Sequence, residues 1–401
     1  MNPQTRPTVD HPTVERRSTA YRRSGELLTD AEPTSTRTRI RLRDGTEVAT
    51  EVIGPPESDD RLGDIVICHG TPWSSRMWRP LAHELGQRYR VHLWDMPGYG
   101  ESIPGSSSTD HPPTEAAPAE VAPSEAIPAL PESPAVDLVT QGRRLAELLE
   151  VWALESPHVI AHDIGGAVAL GAHLFDGREF ASLYLLDIVT LDPWGSPFFR
   201  LVAENEPVFA ALPAPLHRAL VREYIAGAAG SAPNGSRPEV LRLEDRRLED
   251  SWLEVPRLEL SHLDELAAPW CSPAGQSAFY RQVASLSPRH TQAVADSLGE
   301  VRCPVHIGWG EDDPWIPVEQ AERLAKGLPC DPGITRFPRA GHLVPLESPE
   351  ELAADIRSWL SSRSVDDNPV ASDEAQAPDG TAEVPADVVS PNDSSVARTT
   401  R

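Results

Sequence analysis

The sequence has 401 residues, long enough for one large domain or two of ordinary size. Its 36 Lys and Arg residues are outnumbered by 61 Asp and Glu residues, which leaves a formal net charge of −25. A surface this acidic repels nucleic acid and anionic lipid, so the charge argues against both as partners.

The sequence lacks the usual signals of export and membrane insertion. No apolar run approaches the roughly 18–20 residues of a membrane span, and the Arg-containing N-terminus has no apolar signal core. The four cysteines are widely spaced, which disfavours a disulfide framework or a zinc site (Cys68, Cys271, Cys303 and Cys330). We therefore expect a cytoplasmic protein.

Three tracts are predicted to be disordered, because they hold too few apolar side chains to offset the entropy of ordering the chain. Residues 1–34 mix Pro, Thr, Arg and Ser, residues 103–135 are rich in Pro, Ala, Glu and Ser, and residues 364–401 form an acidic tail. For each tract, a solvated linker or tail is a simpler interpretation than a partner-binding segment.

The remaining chain begins with a predicted β-hairpin and continues as alternating strands and helices. Thr38–Arg43 and Glu47–Ile53 flank Asp44-Gly45, a dipeptide typical of hairpin turns. Apolar runs typical of buried parallel strands follow at Asp64–Cys68, Arg90–Trp94, Val159–His162, Ser182–Ile188 and Val305–Trp309. Helical patterns lie at Met77–Gln87, Asp137–Trp152, Gly166–Phe175, Val318–Lys326 and Glu350–Trp359. This order predicts a mostly parallel α/β sheet with helices on both faces.

Residues 190–296 interrupt that alternation. They are helix-rich, contain several aromatic residues and are far too long for an ordinary connection between two strands. We interpret them as a helical cap inserted into a core made of residues 35–189 and 297–363. Within the cap, residues 230–265 are charged and irregular, which predicts a surface excursion.

Two short motifs follow predicted strands in the first half of the core. H-G-T-P at 69–72 makes a tight turn, and such a turn can point backbone N–H groups into a cavity where they hold an oxyanion. A-H-D-I-G-G at 161–166 lies between a strand and a helix. Small residues on both sides of Asp163 permit the sharp turn called a nucleophile elbow, which lifts the central side chain above the sheet. A mere helix cap would be the alternative for Asp163, and the two glycines that follow disfavour it.

An acidic loop and a histidine loop complete the set in the second half of the core. W-G-E-D-D-P at 309–314 and A-G-H-L at 340–343 each follow a strand-like segment. This order suits a general base, His342, and a carboxylate that orients it. For the carboxylate we favour Asp313 over Asp312 and over Asp187, which ends another predicted strand.

The order of these elements resembles the α/β-hydrolase fold: an oxyanion loop, an elbow, a cap, an acid and a histidine. The segments H-G-T-P-W-S-S-R-M-W-R at 69–79, D-M-P-G-Y-G-E-S at 95–102 and H-D-I-G-G at 162–166 are similar to epoxide hydrolases and haloalkane dehalogenases. The resemblance covers roughly 36–102 and 136–362. It implies an enzyme with Asp163 as nucleophile, and with the N–H groups of Thr71 and Ile164 as its oxyanion hole.

An aspartate nucleophile suits attack on a saturated carbon. A carboxylate is already anionic at neutral pH, and displacement by Asp163 gives an ester that water can cleave, whereas serine would give a stable ether. His342 would activate that water. Because nucleophile, base and oxyanion donors are all protein groups, we expect no cofactor and no metal, and only a small hydrophobic substrate and water as partners.

The leaving group remains open between an epoxide oxygen and a halide. Haloalkane dehalogenases hold the halide with a Trp after the nucleophile and an Asn in the H-G-N-P loop, and this chain has Ile164 and Thr71 there. Fluoroacetate dehalogenases have an Arg after the nucleophile, which is also absent. Epoxide hydrolases use two cap tyrosines, for which the candidates are Tyr280, in F-Y-R, and Tyr224. We therefore favour an epoxide, with haloalkane or haloacid dehalogenation as the alternative.

A third interpretation is a non-catalytic ligand-binding relative of these enzymes. It is less economical, because binding alone requires neither His342 nor an acid beside Asp163.

Overall fold

The computed structural model describes residues 33–55, 61–104, 135–230 and 260–366. Most of the predicted disordered tracts, and residues 231–259 of the predicted surface excursion, lie outside the described residues. Two edges of those tracts differ from the prediction. Thr34 already begins a strand, and the last helix continues to Asp366. The chain forms two compact units, residues 1–357 and 358–401, and the described part of the second unit is the end of that helix.

A single sheet occupies the centre of the first unit. The strands described are β1 (Thr34–Arg41), β2 (Glu47–Gly54), β3 (Asp64–Cys68), β4 (Arg90–Trp94), β5 (His158–His162), β6 (Ser182–Leu186), β7 (Val305–Gly310) and β8 (Gly333–Phe337). Their spatial order is β1-β2-β4-β3-β5-β6-β7-β8. β2 pairs antiparallel with β1 and β4, and every other neighbouring pair is parallel.

The central strands are buried because they have neighbours on both edges and are covered by other elements. β3 has parallel partners on both sides, and its Ile65–Cys68 side chains are all buried. β1, at the edge, is almost wholly exposed and is held by its pairing with β2, with Thr38 opposite Thr50. The predicted fold class, a mostly parallel α/β-hydrolase sheet, is confirmed by this topology.

Helices connect the strands and build an insertion between β6 and β7. The helices of the core are α1 (Arg79–Leu85), α2 (Leu138–Val151), α3 (Ile164–Phe175), α9 (Glu319–Gly327), α10 (Val344–Glu347) and α11 (Pro349–Asp366). The insertion contains α4 (Pro197–Ala210), α5 (Ala214–Ala226), α6 (Leu260–Ala267), α7 (Pro273–Ser285) and α8 (Arg289–Asp296). None of the helices within the described ranges is long and apolar enough to cross a membrane.

The topology brings the predicted motifs to one edge of the sheet. Parallel neighbouring strands end at the same edge, so the loops after β3, β5, β6 and β7 meet there. These loops carry H-G-T-P, Asp163, Asp187 and Asp313, and the loop after β8 carries His342. The edge is the place where the candidate site is built.

Candidate active site

Asp163 occupies a strained turn between the end of β5 and the start of α3. Its φ of +53° and ψ of −124° lie outside the regions that L-residues normally adopt. The backbone is held on both sides, since its N–H donates to the Leu186 carbonyl and its own carbonyl accepts from Gly166 and Val189. The side chain is 2% exposed. The conformation is that of the predicted elbow.

Glycine is required after the turn because the helix packs directly on the oxyanion loop. A Cβ on Gly165 would clash with the Cys68 carbonyl and lie 2.6 Å from the His69 carbonyl oxygen. Both obstacles are backbone atoms that cannot move without shifting the H-G-T-P loop. The sequence therefore needs its smallest residue at this position.

We expect Gly165→Ala to destabilise the protein by about 2 kcal/mol or more, because overpacking against backbone forces α3 or the loop to shift. Gly171→Ala in the same helix is the matched control, since its Cβ would meet nothing within 4 Å. We expect it to stabilise by about 0.5–1 kcal/mol through the higher helix propensity of Ala. Thermal unfolding of both variants makes the comparison, and equal effects would contradict it.

The Asp163 carboxylate lies between a backbone donor and an imidazole. The Thr71 N–H donates to Oδ2 at 2.7 Å, and Nε2 of His342 lies 3.7 Å from Oδ1. Ile164, which supplies the second predicted backbone donor, is the first residue of α3 and is buried. The two oxygens of the carboxylate are thus distinguished, with one held by the loop and the other facing the histidine.

His342 is oriented by Asp313. Nδ1 of His342 donates to Oδ2 of Asp313 at 2.8 Å, and both side chains are fully buried. The other Asp313 oxygen accepts from the N–H groups of Trp315 and Ile316. Nε2 of His342 has no hydrogen-bond partner among the described residues. Asp312, the rival acid, is exposed to solvent.

The charge of His342 depends on its two carboxylates. Burial by itself would lower the pKa of His342, but the charges of Asp313 and Asp163 and the hydrogen bond to Asp313 raise it well above its usual value. In the free protein the imidazole is therefore held as a cation between two anions. Any reaction that neutralises Asp163 removes one of those anions and lowers the pKa of His342.

Replacing each of the two acids by Asn in turn should show which one orients His342. We expect Asp313→Asn to lower turnover by about 10³–10⁴-fold, because a neutral partner no longer fixes the reactive tautomer. Asp312→Asn, one residue away and exposed, should stay within about threefold. Steady-state kinetics on both variants decide between them, and a larger loss for Asp312→Asn would make Asp312 the orienting acid.

Asp187, the other rival, lies at the end of β6 in a different environment. Its φ is +45°, its Oδ1 accepts from the Gly310 N–H at 2.8 Å, and its Oδ2 has no described partner. Burial and the charge of Asp313 raise the pKa of Asp187 well above its usual value. The surroundings of Asp187 therefore favour the neutral form of its carboxyl group.

This pKa shift predicts a pH-dependent stability. A carboxyl group whose pKa is raised in the folded protein lowers the free energy of unfolding as the pH rises. The loss is about 1.4 kcal/mol per pH unit between the pKa in the unfolded chain, near 3.9, and the pKa in the folded protein. Asp187→Asn keeps the acceptor for Gly310 and removes the titration. We expect the variant to gain stability over the parent progressively between pH 5 and 7 in urea unfolding, and a constant difference would show that Asp187 does not titrate there.

Two further histidines support the site. Nε2 of His162 donates to the His342 carbonyl at 2.9 Å, and the two rings lie 5.0 Å apart. Burial and the neighbouring His342 lower the pKa of His162 to about 3, so it is neutral. His69 donates from Nδ1 to the Gly70 carbonyl and accepts from Met96, which fixes the oxyanion loop. In the sequence, the only indication that these two histidines belong to the site is that they lie in the motifs H-D-I-G-G and H-G-T-P.

The two candidate cap tyrosines have different surroundings. Burial raises the pKa of Tyr224, on α5, well above its usual value, and the nearby charge of Asp163 raises it further. Tyr280, on α7, is fully buried, and its hydroxyl lies 3.0 Å from Nδ1 of His217. Because Nε2 of His217 must donate to the Trp270 carbonyl, Nδ1 accepts a hydrogen bond from the Tyr280 hydroxyl. The structure thus connects Tyr224 to the site through Trp315, whose ring contacts both Tyr224 and His342, and commits the Tyr280 hydroxyl to His217.

Other polar and aromatic groups around Asp163 were not singled out from the sequence as site residues. The Tyr99 ring contacts His69 of the oxyanion loop, its buried hydroxyl has no hydrogen-bond partner among the described residues, and burial raises its pKa. The Gln282 side chain accepts a hydrogen bond from the Thr71 hydroxyl at 3.0 Å. Trp73 contacts the ring of His342 and also lines an adjoining cavity of about 600 Å³. Among the described residues, no group of three His, Cys, Asp or Glu side chains could hold a metal ion.

The sheet topology and the elbow define the class of α/β-fold hydrolases. Residues 65–355 match the alpha/beta hydrolase family, and the chain belongs to that family. The predicted superfamily is thereby confirmed.

The chain is similar to several proteins of this class. It is 34% identical to an alpha/beta hydrolase fold protein from Burkholderia ambifaria, with a TM-score of 0.61, over 80% of this chain and 97% of the other. It is 24% identical to the "Putative carbamate hydrolase RutD" of Caulobacter sp. (strain K31), over 78% of this chain and 94% of that protein. The epoxide hydrolase CorEH shares the fold, with 16% identity, a TM-score of 0.56 and coverage of 82% and 99%. Relatives of different activities therefore share this architecture.

Proposed function

We propose that this hydrolase acts through Asp163 as a nucleophile and forms an alkyl ester with a small hydrophobic electrophile, which is most economically an epoxide. The observation that carries the proposal is the position of the Asp163 carboxylate. It stands at the elbow with Oδ2 held by Thr71 and Oδ1 facing Nε2 of His342. A carboxylate in this place has the N–H donor and the base that an ester cycle needs.

In the first step, Oδ1 of Asp163 attacks a carbon of the epoxide ring. A bond forms between Oδ1 and that carbon, and the carbon–oxygen bond of the ring breaks. The ring oxygen leaves as an alkoxide that takes up a proton from a nearby donor. Tyr224 is the cap tyrosine better placed for this role, because its ring contacts Trp315 beside His342, whereas the Tyr280 hydroxyl is bound to His217.

In the second step, water cleaves the ester. Once Asp163 is esterified its negative charge is gone, so His342 loses the ion-pair partner that helped to raise its pKa. His342 then gives up its Nε2 proton, which replaces the one that Tyr224 passed to the alkoxide. The neutral imidazole removes a proton from water, which attacks Cγ of Asp163. The oxyanion forms on Oδ2, where Thr71 donates at 2.7 Å and Ile164 is the predicted second donor. The Cγ–Oδ1 bond then breaks, His342 returns its proton to the leaving oxygen, and the diol leaves with an oxygen that came from Asp163. Ionisation of the carboxylic acid that remains restores the charged imidazole.

Dehalogenation is the second candidate, and one observation favours it. The indole N–H of Trp73 is buried and has no hydrogen-bond partner among the described residues. A Cβ on Gly70 would lie 2.7 Å from Asp163 Oδ2 and 3.0 Å from Trp73 Cδ1, so the indole edge is close to the carboxylate. An unpaired N–H beside a nucleophile is the kind of donor that a departing halide requires.

A substrate panel separates the two candidates. Terminal alkyl epoxides and styrene oxide are assayed for diol, and bromo- and chloroalkanes of the same chain lengths are assayed for halide. We expect diol formation from the epoxides with little halide release. Halide release without diol formation would favour the dehalogenase, and hydrolysis of carboxylic esters alone would overturn the proposed attack on saturated carbon.

A further inference from the structure

We propose that the side-chain amide of Gln282, on cap helix α7, donates a hydrogen bond from Nε2 to the atom that leaves the carbon attacked by Asp163. The inference rests on the proposed function, because a leaving atom exists only if Asp163 attacks carbon. It gives α7 a direct contact with the substrate through Gln282, although the sequence had suggested Tyr280 for that helix.

Two hydrogen bonds connect Gln282 to the carboxylate. The Thr71 backbone N–H donates to Oδ2 of Asp163 at 2.7 Å, and the Thr71 hydroxyl donates to Oε1 of Gln282 at 3.0 Å. The same threonine therefore holds the nucleophile with its backbone and the cap amide with its side chain. This places the end of the Gln282 side chain beside the reacting carboxylate.

The rotation of α7 about its axis agrees with this placement of Gln282. Residues two apart on a helix point in nearly opposite directions, whereas residues three apart share a face. Gln282 therefore shares a face with Phe279, whose ring contacts Tyr224, and the Tyr224 ring in turn contacts Trp315 beside His342. Tyr280 points away toward His217. The face of α7 that meets the site is the one with Gln282.

The amide of Gln282 is only half satisfied. Its side chain is fully buried, Oε1 is bound by Thr71, and Nε2 has no hydrogen-bond partner among the described residues. An unpaired buried donor is costly, so native proteins seldom keep one without a use. Gln276, on the same helix, shows the usual arrangement, because its Nε2 donates to the carbonyls of Ala210 and Leu212.

An amide N–H suits a leaving atom that gains negative charge. A donor aimed at developing charge lowers the barrier to breaking the carbon–oxygen bond. The amide keeps its own proton, so the proton that neutralises the alkoxide comes from a hydroxyl, for which Tyr224, in contact with Trp315 beside His342, is the cap candidate. Gln282 would stabilise the alkoxide before that transfer.

The test measures ester formation alone, in a background in which the ester persists. The His342→Gln variant is mixed with a terminal alkyl epoxide, and the rate of ester formation on Asp163 is followed by intact-protein mass spectrometry. Adding Gln282→Met should slow that rate by about 10²-fold. Adding Gln276→Met, the matched control, should change it by less than about threefold, although its melting temperature should fall because two backbone carbonyls lose their donor.

A third variant separates donation from a structural role. Gln282→Glu keeps the acceptor for Thr71 and donates only when its carboxyl is protonated. We expect its rate of ester formation, divided by that of His342→Gln alone, to rise as pH falls from 8 to 5.5. This variant also decides the matter if Gln282→Met does not fold.

Each result has a defined meaning. An unchanged rate for Gln282→Met, or a slow and pH-independent rate for Gln282→Glu, would overturn the role of Gln282 while leaving Asp163 as nucleophile. If no panel epoxide forms an ester in the His342→Gln background, the proposed function fails and the inference falls with it.

Discussion

Replacing His342 with Gln is expected to trap the substrate on Asp163. The base removes a proton only in the second step, so the carboxylate still attacks carbon while ester hydrolysis slows by about 10³-fold. Glutamine keeps the size of the side chain but cannot accept the proton from water. Intact-protein mass spectrometry should therefore show one covalent adduct per chain, and peptide mapping should place it on Asp163.

The size of the adduct also identifies the leaving group. Epoxide opening adds the whole mass of the epoxide, because the ring oxygen stays attached to the alkyl group. Displacement of halide adds the mass of the haloalkane less that of the hydrogen halide. The control is His306→Gln, because His306 lies on β7 and pairs with Asp355 and Thr335. An adduct on another residue, or none with a substrate that the parent enzyme turns over, would refute the mechanism.

Replacing Asp163 with Asn should abolish turnover, with a loss of at least about 10⁴-fold, because a neutral amide cannot attack saturated carbon. Asn tolerates a positive φ better than most residues, so the elbow should keep its shape. Melting temperature tests that point, and product formation measures the chemistry. Activity within tenfold of the parent would show that Asp163 only shapes the turn.

Oxygen labelling complements this variant. In a single turnover in heavy-oxygen water, the parent enzyme should incorporate the label into Asp163, and the first product should carry the oxygen originally held by the carboxylate. A label found only in the product would mean that water attacks the substrate directly, with Asp163 as a bystander or a base.

The fold was predictable where burial leaves a signal in the sequence. β3 and β4 have the bounds predicted from their apolar runs, because both are buried between neighbours. β1 begins at Thr34, earlier than the predicted Thr38, since its side chains are mostly exposed and its extent is set by pairing with β2. β8 is largely exposed and begins with Gly333, so its sequence is equally weak evidence for a strand.

The predictable part of the site is the part carried by local motifs. Asp163, His342 and Asp313 each follow a strand in a recognisable loop, and the structure brings their side chains together. The cap residues of the site were harder to predict. The F-Y-R motif favoured Tyr280 and gave no information on the rotation of α7 about its axis. That rotation depends on packing against residues distant in sequence, as the contact of Gln282 with Thr71 shows.

The core supplies the groups that form and cleave the ester in the proposed cycle, and the insertion supplies those that meet the leaving atom. Thr71, Asp163 and His342 belong to loops at the edge of the sheet, whereas Tyr224 and Gln282 belong to helices inserted between β6 and β7. Directed evolution could therefore change which bond is broken by varying α5 and α7, while the machinery that regenerates the free enzyme stays untouched. Such modularity suits a scaffold whose relatives have diverged in substrate.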